Sequence, residues 1–274
     1  MNKIEILMPV YNGEKYLAEQ IDSILTQTYS NWILRIRNDG SKDNSQSIID
    51  KYCSEYPSKI ICDNTVKGNI GLIQSLNILL NSVTEDYIMF SDQDDIWLEN
   101  KIEDSLNEMQ RLEKNHICKP VMICTDVTCV DENCKIIAQS FFESQRFIKG
   151  IIGNKIKMLA LNEVQGCTIM INKHSLQHIS PLPNCMKIHD MWIATIIAHY
   201  GCVSYLYKQT MLYRQHSNNT LGNININYQY YIKRLKKSYK TIHFLFQLSH
   251  HLPFQINIPL VIYYKAKFAL KRII

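Results

Sequence analysis

No aspartate or glutamate occurs after Asp190, although the sequence as a whole has 25 acidic side chains. The same C-terminal stretch carries 11 lysines and arginines, so it is strongly basic, whereas the part of the chain up to Asp190 is net acidic. A charge asymmetry of this kind indicates an anionic partner for the C-terminal part of the protein.

Several catalytic signatures are also missing. The sequence has no Gly-Lys-Ser/Thr loop and no Gly-x-Gly-x-x-Gly after the first predicted strand, which argues against a P-loop enzyme and a dinucleotide oxidoreductase. It has no Gly-x-Ser-x-Gly motif and therefore offers no obvious nucleophile. The nine cysteines lack the paired spacing of a zinc site, and no secretory signal precedes the first strand, so we expect reduced thiols in a cytoplasmic protein.

The N-terminal half alternates apolar runs with helical patterns. Residues 4–8 predict a strand that Pro9 and Gly13 end, and residues 14–28 predict a helix. Residues 32–37 predict the next strand, and another helix begins near residue 45. This repetition predicts an α/β fold with a mostly parallel central sheet, whose loops gather at the carboxyl edge where such proteins bind ligands.

Three acids stand together after the apolar run Tyr87–Phe90, which predicts a buried strand. Asp92, Asp94 and Asp95 repel one another unless water, a cation or hydrogen-bond donors meet them. Hard divalent cations take carboxylate oxygens, so the cluster is a candidate metal and diphosphate site, and a solvated turn is the alternative. An EF-hand is excluded, because Trp97 occupies the position where that loop needs glycine.

Four sequence blocks in this order resemble the signatures of family 2 glycosyltransferases with the GT-A fold. The resemblance covers roughly residues 3–222, and the forms of the last two blocks resemble the rhamnosyltransferase branch. The blocks are Met8-Pro9-Val10-Tyr11-Asn12-Gly13, Asn38-Asp39-Gly40-Ser41, Asp92-Gln93-Asp94-Asp95-Ile96-Trp97, and His189-Asp190-Met191-Trp192 followed by Tyr213-Arg214-Gln215-His216.

The resemblance implies a site for a nucleotide-diphosphate sugar. Asp39 would accept the N–H of a uracil or thymine base, whereas by itself its block indicates only a turn that caps a helix. Nucleotide binding is therefore expected at Pro9, Tyr11, Asn12, Asp39, Asp92 and Arg214, with Arg214 offering the diphosphate a bidentate contact.

The same resemblance implies a divalent cation, Mg²⁺ or Mn²⁺. Asp94 is the expected direct ligand, Asp92 contributes directly or through water, and His216 is either a further ligand or a structural histidine. Asp95 either orients a substrate or begins the next helix, where an acid favours the helix dipole. Substrate contacts are expected from Asp95, Trp97 and Trp192.

Asp190 stands where the family carries its general base, and by itself it would be an ordinary helix cap. His189 replaces the acid that often precedes this base, and its imidazole could tune or hold the carboxylate. The implied reaction is an inverting, metal-dependent transfer to a glycan or lipid-linked glycan in surface polysaccharide synthesis, with L-rhamnose from a dTDP donor as one candidate. The alternatives are a hexosyltransferase that uses a UDP-sugar, and a non-catalytic protein that binds a nucleotide sugar or a glycan.

The chain divides into a catalytic domain over residues 1–222 and a basic, apolar extension over residues 223–274. Residues 228–240 combine lysines with tyrosines, and the apolar run after them is too interrupted by polar residues for a transmembrane helix. We expect this extension to lie on an anionic membrane surface at the inner face of the cell membrane, with no nucleic acid partner. The alternative is a helical cap that packs on the catalytic domain.

Overall fold

The structure, a computed structural model, describes residues 2–216 and 238–273. The predicted domain boundary near residues 218–227 and most of the basic run at residues 228–240 lie outside the described residues. In chain order the strands and helices are β1 Ile4–Val10, α1 Leu17–Leu25, β2 Trp32–Asn38, α2 Ser45–Glu55, β3 Ile60–Cys62, α3 Leu72–Asn81, β4 Tyr87–Phe90, β5 Ile96–Trp97, α4 Lys101–Glu113, β6 Val121–Val130, β7 Ile136–Ala138, α5 Phe141–Ser144, α6 Lys155–Ala160, β8 Ile169–Asn172, α7 Leu176–Ile179, α8 Asp190–Tyr200, β9 Cys202–Arg214, α9 Ser238–Ser249 and α10 Ile258–Ile273.

The described strands form one sheet in the order β3-β2-β1-β4-β8-β6-β9-β5, and β7 pairs with β6. Strands β3, β2, β1 and β4 are parallel to one another. Strand β8 then runs antiparallel between β4 and β6, whereas β6 and β9 are parallel. The predicted α/β fold is confirmed, and the sheet as a whole is mixed because its second half combines both strand directions.

Helices cover both faces of the sheet, which explains the continuous apolar runs of the strands. Alternate residues of β1 point to opposite faces, so that Leu7 joins the core under α3, α6 and α8 while Ile6 joins the core under α1, α2 and α4. The first of these cores also contains buried side chains from α9 and α10, namely Leu245, Leu248, Val261 and Phe268. The described part of the C-terminal extension therefore packs on the catalytic domain.

The parallel register brings the loops of the sequence blocks to one edge. Val10 at the end of β1 pairs with Asn38 at the end of β2, and Leu7 pairs with Phe90 at the end of β4. The three loops that follow these strands therefore lie side by side at the carboxyl edge of the sheet.

Three features differ from the sequence expectations. Strand β9 was not predicted from the sequence, and its pairing with β6 is the longest pairing that β6 makes among the described strands. Residues 139–157 have no regular sequence pattern, and yet they contain α5 and the start of α6. Residues 97–114 have apolar side chains at close to helical spacing, but the helix begins only at Lys101, because Ile96 and Trp97 pair with β9 as the short strand β5. None of the described helices is both long enough and apolar enough to cross a bilayer.

Candidate active site

A cleft of about 340 Å³ opens at the carboxyl edge of the parallel strands and reaches the N-terminus of α8. The residues that line it come from segments far apart in the sequence, including the acidic cluster after β4 and the first residue of α8. Seven of the predicted site residues line this cleft: Pro9, Tyr11, Asp39, Asp92, Asp94, His189 and Asp190.

Asp39 is held in the cleft wall by three donors. Its Oδ1 accepts hydrogen bonds from Arg37 Nη1 at 2.7 Å and from the Ile70 N–H at 2.8 Å, and its Oδ2 accepts one from the Gly71 N–H at 2.9 Å. Because each carboxylate oxygen can accept two hydrogen bonds, Oδ2 retains the capacity for one further donor. The carboxylate is thus fixed in place and still able to accept from a ligand.

Gly40 makes this arrangement possible. Its φ of +73° is unfavourable for other residues, and a Cβ at this position would lie 2.7 Å from the backbone nitrogen of Asn69. The segment that includes Asn69 continues into the two N–H groups that hold Asp39. Gly40 therefore allows the backbone of the second sequence block to lie close to the backbone at Asn69, next to the cleft.

The first loop is clamped by its neighbours. Gln93 accepts a hydrogen bond from the Tyr11 N–H at 2.7 Å and donates one to the Tyr11 carbonyl at 3.0 Å. Asn12 does not line the cleft; it donates its N–H to Ser41 Oγ and accepts one from the Lys42 N–H, both at 2.9 Å. Asn12 therefore joins the first loop to the second, and its contact with the nucleotide stays a prediction.

The carboxyl groups of the acidic cluster repel one another and have raised pKa values. Burial and the nearby charges of Asp94 and Asp190 raise the pKa of Asp92 to about 7. Asp95 lies deeper, and burial together with the charges of Asp94 and Asp92 raises its pKa well above the usual value of an aspartate. A cation at this place would relieve the cluster, since positive charge favours the ionised form of a carboxyl group.

The potential metal ligands form two neighbouring groups. Asp94 Oδ2 lies 2.9 Å from His216 Nε2, and within the described part of the chain Asp92, Asp95 and Cys167 bring one ligand atom each within 4.8 Å of one another. Of these side chains, Asp92 and Asp94 are the two carboxylates that line the cleft. Two carboxylates at an open cleft fit a hard divalent cation such as Mg²⁺ or Mn²⁺.

Arg214, which is predicted to contact the diphosphate, lies inside the protein next to the acidic cluster. Its side chain is 3% exposed and does not line the cleft. The guanidinium pairs with Glu19 and donates to the backbone oxygens of Asp94 and Glu132, while the Arg214 N–H donates to Asp95 Oδ1 at 3.1 Å. In this structure Arg214 fixes the loop of the acidic cluster through these bonds, and its contact with the diphosphate stays a prediction.

Asp190 is the first residue of α8, and its side chain is buried at the cleft. Its Oδ1 accepts a hydrogen bond from the Met191 N–H at 2.6 Å. Burial raises the pKa of Asp190 to about 7, although hydrogen bonds from the Met191 N–H and the Asn162 side chain act in the opposite direction. A carboxyl group that titrates near neutral pH is suited to general base catalysis.

His189 occupies the capping position of α8, and its ring packs on Phe90 with 4.9 Å between ring centres. Burial lowers the pKa of its imidazole to about 4. The groups that bond the Asp190 carboxyl in this structure are Met191 and Asn162, and a role of His189 in tuning or holding that carboxylate stays a prediction. The imidazole lines the cleft as a neutral group in its own right.

Asp95, Trp97 and Trp192, which are predicted to contact a substrate, are not among the residues that line the cleft, so these contacts stay predictions. Trp97 packs in the core under α1 and α4. Trp192 packs in the opposite core and donates its indole N–H to the Ile179 carbonyl at 2.8 Å. Asp95 is wholly buried beneath the cleft.

Sequence reasoning missed the segment that forms the far wall of the cleft. Gln165, Gly166 and Cys167 line it from the turn before β8. A Cβ at Gly166 would lie 2.4 Å from His189 Cε1, so this glycine is needed for space. A glycine directly before a buried strand is a signal of such close approach, and it could have pointed to this wall.

Comparisons with known proteins agree with this geometry. The family model described as Glycosyl transferase family 2 matches residues 5–179 of the chain. A relative named dTDP-rhamnosyl transferase RfbG, from Shigella flexneri, is 29% identical over 244 residues, which are 83% of this chain and 78% of the relative. An uncharacterized glycosyltransferase of Rickettsia prowazekii is 29% identical over 196 residues, which are 69% of this chain. The chain spans 57% of the length of that second relative.

A solved structure has the same architecture. The mannosyltransferase PcManGT from Pyrobaculum calidifontis, in complex with GDP-Man and Mn²⁺, matches with a TM-score of 0.61 at 15% identity. The match covers 99% of this chain and 72% of that structure. At this level of identity the likeness concerns the fold, and it confirms the GT-A architecture that the sequence blocks predict.

Proposed function

Because this chain belongs to glycosyl transferase family 2, we propose that it transfers a sugar from a nucleoside-diphosphate donor to a glycan acceptor, with inversion at the anomeric carbon. The observation that carries the proposal is the cleft itself. It brings together Asp39, the acids after β4 and Asp190, which are separated by up to 151 residues in the sequence and have no shared structural task.

The donor base binds at the end of β2. Asp39 Oδ2 has the capacity to accept the imide N–H of uracil or thymine, and its other bonds hold it rigidly. Pro9 and Tyr11 line the cleft beside it and supply apolar surface for the base. Rigid placement favours binding because little side-chain freedom is lost.

Asp92 and Asp94 would hold a divalent cation together with the diphosphate, and His216 beside Asp94 would support that ligand. A bound Mg²⁺ or Mn²⁺ would supply positive charge where the diphosphate leaves. The raised pKa of Asp92, which burial and its acidic neighbours cause, supports this assignment because a cation would restore its ionised form.

Asp190 acts as the general base. As the acceptor oxygen forms its bond to the anomeric carbon, the bond from that carbon to the diphosphate oxygen breaks and its electron pair leaves with the diphosphate. The proton of the acceptor hydroxyl passes to Asp190, whose pKa of about 7 places it near neutral pH. Attack opposite the leaving group gives inversion.

We propose dTDP-L-rhamnose as the donor and a lipid-linked or surface glycan as the acceptor. The support is the likeness to the relative named dTDP-rhamnosyl transferase, which extends over 83% of this chain. A UDP-sugar is the competing donor, since Asp39 would accept the imide N–H of uracil equally well.

The outer face of the C-terminal helices supports a membrane partner. Phe246 of α9 is 57% exposed, and Tyr263 and Leu270 of α10 are 56% and 59% exposed. Lys267 lies over the Tyr263 ring at 5.7 Å, and no acidic residue follows Asp190 in the chain. Exposed apolar side chains among lysines suit an anionic lipid surface, so we propose that this face lies on the membrane that carries the acceptor.

A donor panel tests the proposed function. Purified protein is incubated with dTDP-L-rhamnose, UDP-glucose, UDP-N-acetylglucosamine and GDP-mannose, each with Mg²⁺ or Mn²⁺, and release of the nucleoside diphosphate is measured. We expect release from dTDP-L-rhamnose, strengthened by added glycan acceptors. Tight nucleotide binding without release from any donor would favour the non-catalytic alternative, and release from a UDP-sugar alone would replace the proposed donor.

A further inference from the structure

The wall of the cleft around Asp190 contains buried polar atoms without partners. Among the described residues, Gln165 Oε1 has no hydrogen-bond partner, and neither ring nitrogen of His189 has one of good geometry, although the Gly166 backbone lies close enough to the imidazole to counteract part of the fall in its pKa. The two side chains are only 5% and 8% exposed, and both line the cleft. Burying a polar atom without a partner destabilises a fold, so a pair of such side chains at one cleft indicates a ligand that supplies the partners.

The imidazole is held in place by packing. Its ring lies on Phe90 with 4.9 Å between ring centres, and the backbone of His189 accepts the Ile193 N–H within α8. On its other side, Gly166 leaves space that a methyl group would fill, since a Cβ there would lie 2.4 Å from Cε1 and 2.5 Å from Nε2. The absence of a side chain at Gly166, next to Gln165, therefore leaves room for the imidazole ring.

The chemistry of the pair fits hydroxyl groups. Burial lowers the pKa of His189 to about 4, so at neutral pH its ring offers one N–H donor and one nitrogen acceptor. Gln165 Oε1 adds a second acceptor. A neutral donor with two acceptors complements sugar hydroxyls, each of which can donate and accept. An ionised phosphate or carboxylate only accepts hydrogen bonds, so it would leave the two acceptors of the pair without donors.

The position of the pair points to the acceptor sugar. His189 directly precedes Asp190, and Gln165 lies three residues after Asn162, whose side chain bonds the Asp190 carboxyl. Both segments therefore also hold the base. The acidic cluster that suits the donor diphosphate comes instead from the loop after β4.

We propose that His189 and Gln165 form an acceptor subsite, in which they bind hydroxyl groups of the acceptor sugar adjacent to the hydroxyl that Asp190 deprotonates. The subsite rests on the proposed function for its place in the reaction, and its recognition of a sugar ring can be measured by binding alone. It makes both residues determinants of acceptor specificity.

The test uses the full chain with Mg²⁺, which does not broaden NMR signals as paramagnetic Mn²⁺ does. Binding is measured with dTDP or UDP and turnover with dTDP-L-rhamnose or a UDP-sugar, and the probes are octyl glycosides of common bacterial sugars with their monodeoxy analogues. Binding of each glycoside is measured by saturation-transfer NMR and turnover by nucleoside diphosphate release. The variants are His189→Phe, Gln165→Leu and Gly166→Ala, which displaces the imidazole without removing it. Gln177→Leu, on the exposed side of α7, is the matched control.

We expect each cleft variant to weaken glycoside binding and raise the acceptor KM by about tenfold, the scale of one or two lost hydrogen bonds, with dTDP binding changed by less than about twofold. Wild-type protein should discriminate against one monodeoxy analogue, and the variants should lose that discrimination. Loss of donor affinity with unchanged glycoside binding would overturn the proposal, as would wild-type protein that binds no glycoside. Glycoside binding without turnover would support the subsite and contradict the catalytic proposal instead.

Discussion

The ionisation of Asp190 gives a sharp kinetic prediction. Its carboxyl must be ionised to accept a proton, and burial raises its pKa to about 7. The ionised fraction then rises from about 9% at pH 6 to about 91% at pH 8, so the rate should increase about tenfold over this interval. An ordinary solvated aspartate is already ionised at pH 6 and would give a flat profile.

The assay is the pH dependence of kcat/KM for the donor, measured by nucleoside diphosphate release at saturating Mn²⁺. Saturation with the cation matters because Asp92 also has a pKa of about 7, and bound positive charge favours its ionised form. Asp190→Asn should reduce turnover by ~10²-fold or more and leave dTDP binding nearly unchanged, because the amide keeps the shape but takes no proton.

Asp86→Asn provides the control, since Asp86 pairs with Lys173 on the surface away from the cleft. This variant should reproduce the wild-type pH profile. A wild-type rate that stays constant between pH 6 and pH 8, or near-normal turnover by Asp190→Asn, would refute the assignment of Asp190 as the base.

Three further predictions concern the cation, the stability of the fold and the membrane. Excess chelator should abolish sugar transfer, and Asp94→Ala should weaken the binding of dTDP in the presence of Mn²⁺, measured by calorimetry. Full activity in excess chelator would contradict the proposed role of the cation. Because the pKa of Asp190 is raised in the folded state, protonation of this carboxyl stabilises the fold; the stabilisation is complete below pH ~4 and is lost as pH rises through about 7. Asp190→Asn removes the buried charge, so it should raise the free energy of unfolding by at most about 4 kcal/mol at pH 8 and by little at pH 4. Denaturant titrations at the two pH values measure this difference, and an equal gain at both would contradict a raised pKa of Asp190. Phe246→Ser with Tyr263→Ser should reduce co-sedimentation with anionic vesicles, and unchanged sedimentation at low and high salt would exclude this face as the contact.

The membrane test uses point substitutions because the tail is part of the fold. Leu245, Leu248, Val261 and Phe268 are buried in the core beside α6 and α8. A chain cut after the catalytic domain would expose that core, so its loss of vesicle binding could reflect unfolding. Substitutions on the outer face leave these contacts intact.

The strands that carry the sequence blocks could be predicted because they are buried on both faces. Such strands appear as continuous apolar runs, and turn residues mark their ends. Strand β6 is rich in β-forming residues and is buried throughout Val121–Val130, and α8 is mostly apolar over Asp190–Tyr200, so both elements have sequence patterns that match their structure.

Strand β9 was less accessible to sequence reasoning. Its pairing with β6 shifts register around Asp126, and each shift changes which side chains face the core. Lys208 and Gln209 interrupt the strand at this irregularity, so Cys202–Arg214 shows no regular alternation. Periodicity fails as a signal where the partner strand is bulged.

Site residues were predictable where a block ends a strand, and less so for their neighbours. Trp192 lies two positions after Asp190, which turns it about 200° around α8 and into the core. Arg214 directly follows Tyr213, which lines the cleft, but its guanidinium is bonded to Glu19 and to backbone oxygens inside the protein. Gln165 comes from a turn without a recognised motif, and only the tertiary fold brings it beside Asp190.

Transfer itself tests the central claim most directly. Wild-type protein and Asp190→Asn are incubated with dTDP-L-rhamnose, Mn²⁺ and octyl glycoside acceptors, and the acceptor masses are measured by mass spectrometry. The account predicts that an acceptor gains the mass of one sugar residue with wild-type protein, and at least ~10²-fold more slowly with the variant. Bound nucleotide with no sugar transferred from this donor or any other, or equal transfer by both proteins, would contradict it.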